Sequence, residues 1–387
     1  MNILIIAKTY HSGAMARAIQ MRRVANALVE HGNYNVSLIT EGENNAVENR
    51  GRLEIINCKR SVFKLFNKEK IAGVQLNDIV FLRKSTFVND SIEIAKKIIV
   101  EKNIQLVLTV STPFDAHLAG LNLKREFPST TWVTFFSDMW PSCFLPKPYG
   151  DNFLSARKKT RMMKEVVEHC DGIITPSRYT LDIITTNFKT KAKLTAIPHC
   201  LSETSVDFEE PLRGFIVHSG LLSKERIAEP LIEAIKELAI ENKDFKGFIH
   251  IGSYDRLFKK LIDKHRCKNI YLLGHMPEAM ANRIQHLYEI GVIIEAPMKE
   301  SSPFMPSKIT DIIQLNKKLI VISPAKSFLA DFARENEGIF SCPYSKEEIK
   351  KCIYDAIKSE KYINEGAINH FHPSTVSKQY EQFFNLF

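Results

Sequence analysis

The chain has 387 residues, 44% hydrophobic and 25% charged, with only 16 Gly and 16 Pro; this excludes disordered, collagen-like and fibrous classes, and the length exceeds one ordinary core, so two domains are expected. Its 53 Lys and Arg against 44 Asp and Glu give a formal net charge of +9, which favours anionic partners such as nucleotide phosphates, lipid or nucleic acid, although a solvated basic surface gives the same value. The seven cysteines are odd in number, widely spaced and without a C-x-x-C pair, which argues against a zinc site or a disulfide framework and for a reducing compartment.

The apolar start Asn2–Ala7 is interrupted by Lys8 and Arg17, too early for a signal peptide or a spanning helix, and no apolar run approaches the ~20 residues that cross a bilayer. A cytoplasmic location is expected. Along the chain, Asn2–Ala7 predicts a strand, the turn His11–Gly13 leads to a helix over Ala14–Glu30, and Asn35–Thr40 and Leu53–Asn57 predict strands. A helix over Asp90–Glu101, a strand over Gln105–Val110, a helix over Phe114–Arg125 and a strand over Thr131–Phe136 follow. Leu154–His169 reads as a helix, and Gly172–Thr175 and Lys193–Ile197 as strands.

The pattern then restarts. Strands are predicted over Phe215–Val217, Gly247–Ile251, Asn269–Leu273, Gly291–Ile294 and Lys318–Ile322. Helices are predicted over Ile227–Ile240, Asp255–Asp263, Glu278–Leu287, Ser307–Leu315, Ser345–Lys358 and Ser374–Phe384. Strands alternating with helices of this length indicate parallel sheets made of βαβ units. The polar, acidic stretch Ser202–Arg213 reads as a linker. The expected organisation is an N-terminal Rossmann-like domain over 1–205, a C-terminal one over 206–372, and a helix in 373–387 that packs back on the first domain.

Ligands of open parallel sheets bind outside the carboxyl ends of the strands. There the sequence offers Gly13 in a small-residue turn, His117 after the Ser111-Thr112-Pro113 segment, and Asp138 before Trp140-Pro141. Each has a plain structural alternative: a tight turn, a packed histidine, a capping carboxylate. In the second half, Gly220 precedes Lys224 and Arg226, and Lys308 follows Pro306-Ser307. Cations at a helix N-terminus oppose its dipole, and a bound anion removes the conflict, so the two together point to a diphosphate.

These residues resemble those of the family 4-like glycosyltransferases, particularly bacterial ones that build capsule, O-antigen and other surface polysaccharides. The similarity runs through nearly the whole chain as a series of motifs: Asn2–Ile6 through Gly13, Arg17 and Leu28; Trp132–Trp140 with its D-x-W; Asp171–Ser177; Ile197-Pro198-His199; Ser219–Leu222; Gly252-Ser253; Leu272–Pro277; and Pro306–Asp311. The resemblance implies the GT-B fold, two Rossmann-like α/β domains with parallel sheets facing across a cleft. It implies a retaining, metal-independent enzyme that takes a UDP- or GDP-sugar, with no covalently bound cofactor; no D-x-D metal motif occurs. Lys308 with Arg226 or Lys224 would bind the diphosphate, and the backbone around Gly274, His275 and Met276 the base. Ser307, Asp311 and Glu300 would complete the nucleotide-sugar site, and His117 and Asp138 would act from the N-terminal side. The sequence departs from the family where Leu221 follows Gly220 instead of Arg, and where Glu300 and Asp311 lie too far apart for the paired-Glu spacing.

Two stretches, Lys59–Lys70 and Arg157–Lys164, interleave cations with apolar residues, which suits either an anionic membrane surface or an ordinary amphipathic helix. No nucleic-acid motif accompanies them, so the expected partners are a nucleotide sugar and a glycan or polyprenyl-linked acceptor. The expected place is the cytoplasm, peripheral on the inner face of the membrane. The competing readings are a nucleotide-sugar 2-epimerase of the same fold and a sugar-nucleotide-binding subunit whose catalytic site has decayed.

Overall fold

The computed structural model describes all residues except 12–14, 60, 61, 64–69, 72, 73, 76–83, 151, 152, 203–209, 228 and 300. The chain divides into two compact units, one of Met1–Leu145, Tyr149–Cys200 and Pro373–Phe387, the other of Pro146–Pro148 and Leu201–His372. Both are α/β.

Unit 1 carries strands β1 (Asn2–Ile6), β2 (Asn35–Gly42), β3 (Ala46–Arg50) and β4 (Leu53–Lys59), the two-residue strands β5 (Val62–Phe63), β6 (Lys70–Ile71), β7 (Val74–Gln75) and β8 (Lys84–Ser85), then β9 (Leu106–Ser111), β10 (Thr131–Phe136), β11 (Gly172–Thr175) and β12 (Lys193–Ala196). Its main sheet has the order β12-β11-β10-β9-β1-β2-β4-β3, parallel throughout except for the β3–β4 edge. The inner strands are apolar on both faces, as helix-covered parallel strands must be: Leu4, Ile6 and Val107 face one cluster, and Ile3, Ile5 and Leu108 the other. The terminal helix Pro373–Phe384 joins the second cluster through Val376, Tyr380, Phe383 and Phe384. Gly172 makes room for it, since a Cβ there would lie 2.8 Å from the Phe387 ring and 3.0 Å from that of Phe383.

Unit 2 carries β13 (Leu212–Ser219), β14 (Gly247–Ile251), β15 (Ile270–Gly274), β16 (Tyr288–Ile294), β17 (Lys318–Ile322) and β18 (Ile339–Cys342), all parallel, in the order β15-β14-β13-β16-β17-β18. In each unit the first strand lies beside the fourth of the doubly wound order, β1 beside β9 and β13 beside β16. These are the points where the winding reverses, and a ligand crevice opens there. At the amino end of the second sheet, the buried Lys318 pairs with Glu289 at 2.9 Å, and Tyr362 donates to the same carboxylate at 2.8 Å. Two charges buried this deeply persist because they are mutually paired and hydrogen-bonded.

Several elements lie outside the sequence expectation: β3, β18 and the helices Arg178–Asn187, Phe328–Glu335 and Glu365–Phe371. Three of these helices begin at a side-chain cap, Ser177 accepting from the Tyr179 amide, Ser327 from that of Ala330, and Asn364 from that of Ala367. The basic stretch Arg157–Lys164 lies on the helix Phe153–His169, which buries Met163 and turns Arg161 and Lys164 outward into pairs with Glu165 and Glu168. Most of Lys59–Lys70 lies outside the described residues. Among the described residues no helix is long and apolar enough to cross a membrane.

Candidate nucleotide-binding site in unit 2

The winding reversal in unit 2 separates the carboxyl ends of β13 and β16. Three glycines mark the ends of adjacent strands: Gly220 (φ 129°), Gly252 (φ 127°) and Gly274 (φ 73°). Their loops are stitched edge to edge, Gly220 donating to Ile251, Leu222 to Ser253 and Gly252 to Gly274, at 2.8–3.0 Å. At Gly252 the requirement is absolute, because a Cβ would stand 2.2 Å from the Gly220 carbonyl oxygen. Beyond Gly220 the surroundings open, the nearest side-chain atom to its missing Cβ being Lys308 Cε at 3.9 Å. The result is a backbone shelf that a ligand can approach closely.

Two cations converge on this shelf. Lys308 opens the short helix Lys308–Gln314 and pairs with Asp311 at 3.4 Å. Arg226 ends a 3₁₀ turn, Lys224–Arg226, that precedes the helix Glu229–Glu241. Lys224 and Arg226 therefore both lie just ahead of the helix N-terminus, outside its first turn. Arg226 is half-buried, yet among the described residues its guanidinium has no hydrogen bond or ion pair. Lys224 is exposed and, among the described residues, reaches only Glu225, at 3.8 Å.

Beneath the cations lie groups absent from the sequence reading. His218, near the end of β13, is buried and stacks on the buried His250 of β14, with the two Nδ1 atoms 3.0 Å apart. Burial, His250 and then the charges of Arg226 and Lys308 hold His218 well below its ordinary pKa, so both rings are neutral in the hydrogen-bonded pair. Glu295 follows the last residue of β16 and is 3% exposed. Its Oε1 accepts from Ser302 Oγ at 2.8 Å, its Oε2 has no partner among the described residues, and burial raises its pKa to about 7. Its one sequence signal is weak, a single carboxylate after the apolar run Gly291–Ile294.

Of the other expected residues, His275 is exposed, Met276 packs on Val217, Ile249 and Ile251, and Ser307 precedes the Lys308 helix without a side-chain capping bond. Gly13 and Glu300 lie outside the described residues. In unit 1 the other reversal point gathers Lys8, which pairs with Asp115 at 3.1 Å, and Arg17, which donates to the Thr112 carbonyl. Asp138 is half-buried in the turn after β10, where Ser137 donates to the Ser111 carbonyl at 2.6 Å. His117 leaves its Nε2 without a partner among the described residues. Its ring is fully buried against Phe114 and Phe136, and its Nδ1 lies 2.8 Å from Thr109 Oγ1, which also accepts from Trp132 Nε1. Its position one turn into a helix that packs on the sheet turns it inward, and burial lowers its pKa to about 3.

Residues 18–203 match the model of Glycosyltransferase Family 4. The matched stretch lies almost wholly in unit 1. No curated protein matches the sequence. Among solved structures, the chain is similar to sucrose-phosphate synthase from Thermosynechococcus elongatus, with a TM-score of 0.69 at 12% identity over 100% of this chain and 98% of that one. It is similar to the HepE protein of Anabaena in complex with UDP, with a TM-score of 0.62 at 11% identity over the whole of both chains. It also resembles the structure of trehalose-6-phosphate from E. coli bound with UDP-2-fluoro glucose, with a TM-score of 0.59 at 9% identity over 99% of this chain and 96% of that one. Likeness at this identity gives the fold, two Rossmann-like units of the GT-B class. The family match and the shared fold support a glycosyltransferase.

Proposed function

We propose that the protein is a retaining, metal-independent glycosyltransferase that takes a UDP- or GDP-sugar on the glycine shelf of unit 2. It passes the sugar to a lipid-linked or growing glycan in surface-polysaccharide synthesis, on the cytoplasmic face of a membrane. The observation that carries the donor half is Arg226: a half-buried guanidinium with no partner among the described residues, beside Gly220 at the winding reversal. A cation in that setting is satisfied by an anionic ligand, and a diphosphate fits both it and Lys308. The similar structures that hold UDP or UDP-2-fluoro glucose support the nucleotide as that ligand.

Chemically, the two cations act where negative charge grows on the departing diphosphate, which lowers the barrier to breaking the sugar–phosphate bond. The positive-φ loops let backbone amides approach the phosphates, and the backbone near Gly274–Met276 borders the base. Acceptor binding is assigned to unit 1, with Asp138 as its candidate residue. Incubation with a panel of UDP- and GDP-sugars, with and without membrane extract, tests this through free nucleotide. Acceptor-dependent release that Lys308→Ala lowers at least tenfold is the expected result. An altered sugar without release, or full turnover by Lys308→Ala, contradicts it.

A further inference from the structure

The buried carboxyl of Glu295 has a place in the anion site that shelf and cations alone do not give it. The register of β13 and β16 pairs His218 with Val292, so continuing it sets Glu295 at the level of Leu221, directly past the winding reversal. Its amide donates to the Ile322 carbonyl of β17, which fixes the backbone and aims the side chain by its own strand. Ser302 holds one carboxyl oxygen only. Its Oγ already accepts the Phe304 amide at 3.3 Å, and its hydroxyl hydrogen goes to Glu295 Oε1 at 2.8 Å. A neutral Glu295 therefore carries its proton on Oε2, the oxygen without a partner among the described residues.

The charged and titratable groups around this carboxyl are few. Arg226 comes from the turn after β13, and its charge acts on both Glu295 and His218; Lys308, paired with Asp311, acts on His218 from the helix after the Glu295 loop. Ser302 lies on Glu295's own loop, and β17 contributes a backbone carbonyl. Among the described residues Arg226 is thus the one cation acting on Glu295. A guanidinium carries five donors in a rigid fork, more than a single phosphate group uses, so it can bridge a ligand on one side and a carboxylate on the other.

We propose that Glu295 is the positioning residue of Arg226: when a diphosphate draws the guanidinium onto the shelf, Glu295 gives up the proton on Oε2 to solvent and that oxygen accepts an Arg226 N–H. This deepens the nucleotide-sugar reading and rests on it. The carboxylate then locks the side chain in the orientation the phosphate needs, and the diphosphate, guanidinium and carboxylate alternate in sign. In the free protein burial keeps the carboxyl about half protonated near neutrality.

The test is isothermal titration of the full chain with UDP-glucose and GDP-mannose at pH 7, in HEPES and in Tris, whose ionisation enthalpies differ. A nucleotide sugar has no phosphate that titrates near this pH, so a buffer-dependent heat reports protons from the protein. The wild type is expected to release about half a proton per nucleotide sugar bound, from a carboxyl poised at about 7. Glu295→Gln is expected to release none and to bind about tenfold more weakly, the scale of one charge-assisted hydrogen bond. Binding without proton release by the wild type, or equal release by Glu295→Gln, overturns the proposal and leaves the nucleotide site standing. Failure of every nucleotide sugar to bind the wild type overturns the nucleotide site, and this proposal with it. If Glu295→Gln does not fold, Ser302→Ala carries the test: losing the hydroxyl donor raises the carboxyl's pKa, so proton release must rise above that of the wild type, and unchanged or smaller release overturns the proposal.

Discussion

Replacing Gly252 by alanine probes the construction of the shelf. At φ 127° the residue occupies a region that is essentially glycine's alone, and holding an L-residue there costs about 1–3 kcal/mol. The new methyl would also stand 2.2 Å from the Gly220 carbonyl oxygen, a backbone atom that no rotamer change can move. Relief requires the β13 and β14 loops to part, which loosens the bonds from Gly220 to Ile251, Leu222 to Ser253 and Gly252 to Gly274, each contributing about 0.5–1.5 kcal/mol. The expected loss is about 3 kcal/mol, which for a unit of this size lowers Tm by about 6–12 °C. Differential scanning calorimetry of the whole chain reads it, with Gly150→Ala as control, a glycine without positive φ where an added Cβ would meet no atom within 4 Å among the described residues. A Gly252→Ala protein as stable as the control refutes the reasoning.

Two further predictions concern buried charge. Lys318→Met strands the Glu289 carboxylate and should cost about 3–5 kcal/mol, while adding Glu289→Leu should recover most of it, because a removed pair is tolerated where a broken one is not; urea unfolding of both variants measures the difference, and equal losses contradict it. His117 has a folded pKa of about 3, below its unfolded value of 6.5, so the unfolded chain binds the proton first and stability falls as pH drops from 6.5 toward 3. His117→Asn, which keeps an amide beside Thr109, should flatten that slope relative to the wild type by about 4 kcal/mol over the interval, whereas parallel profiles would show that the ring is not held neutral.

The alternation of apolar runs with longer amphipathic segments made both sheets legible, because a strand covered on both faces leaves an unbroken run such as Lys318–Ile322. The helices that escaped notice have weaker outward signs. Arg178–Asn187 buries only Thr180 and Ile184, and Glu365–Phe371 only Ala367 and Phe371, so neither presents a broad apolar stripe. Gly220, Arg226 and Lys308 were legible since they follow strands, and the rule for open sheets points there. Glu295 was not, although it obeys the same rule, because an acid between an apolar run and a proline resembles ordinary loop punctuation. His117 shows another limit. Periodicity places it on a helix, but only the packing of Phe114, Phe136 and Trp132 reveals which way the ring turns.

Arg226 is the proposed anchor of a nucleotide-diphosphate sugar. Titrating UDP- and GDP-sugars into the wild type and Arg226→Ala measures that directly. The prediction is that at least one nucleotide sugar binds the wild type and that the variant binds it about 10–100-fold more weakly, the worth of one guanidinium–phosphate contact. Equal affinity in the two proteins, or no binding to the wild type by any nucleotide sugar, would contradict it.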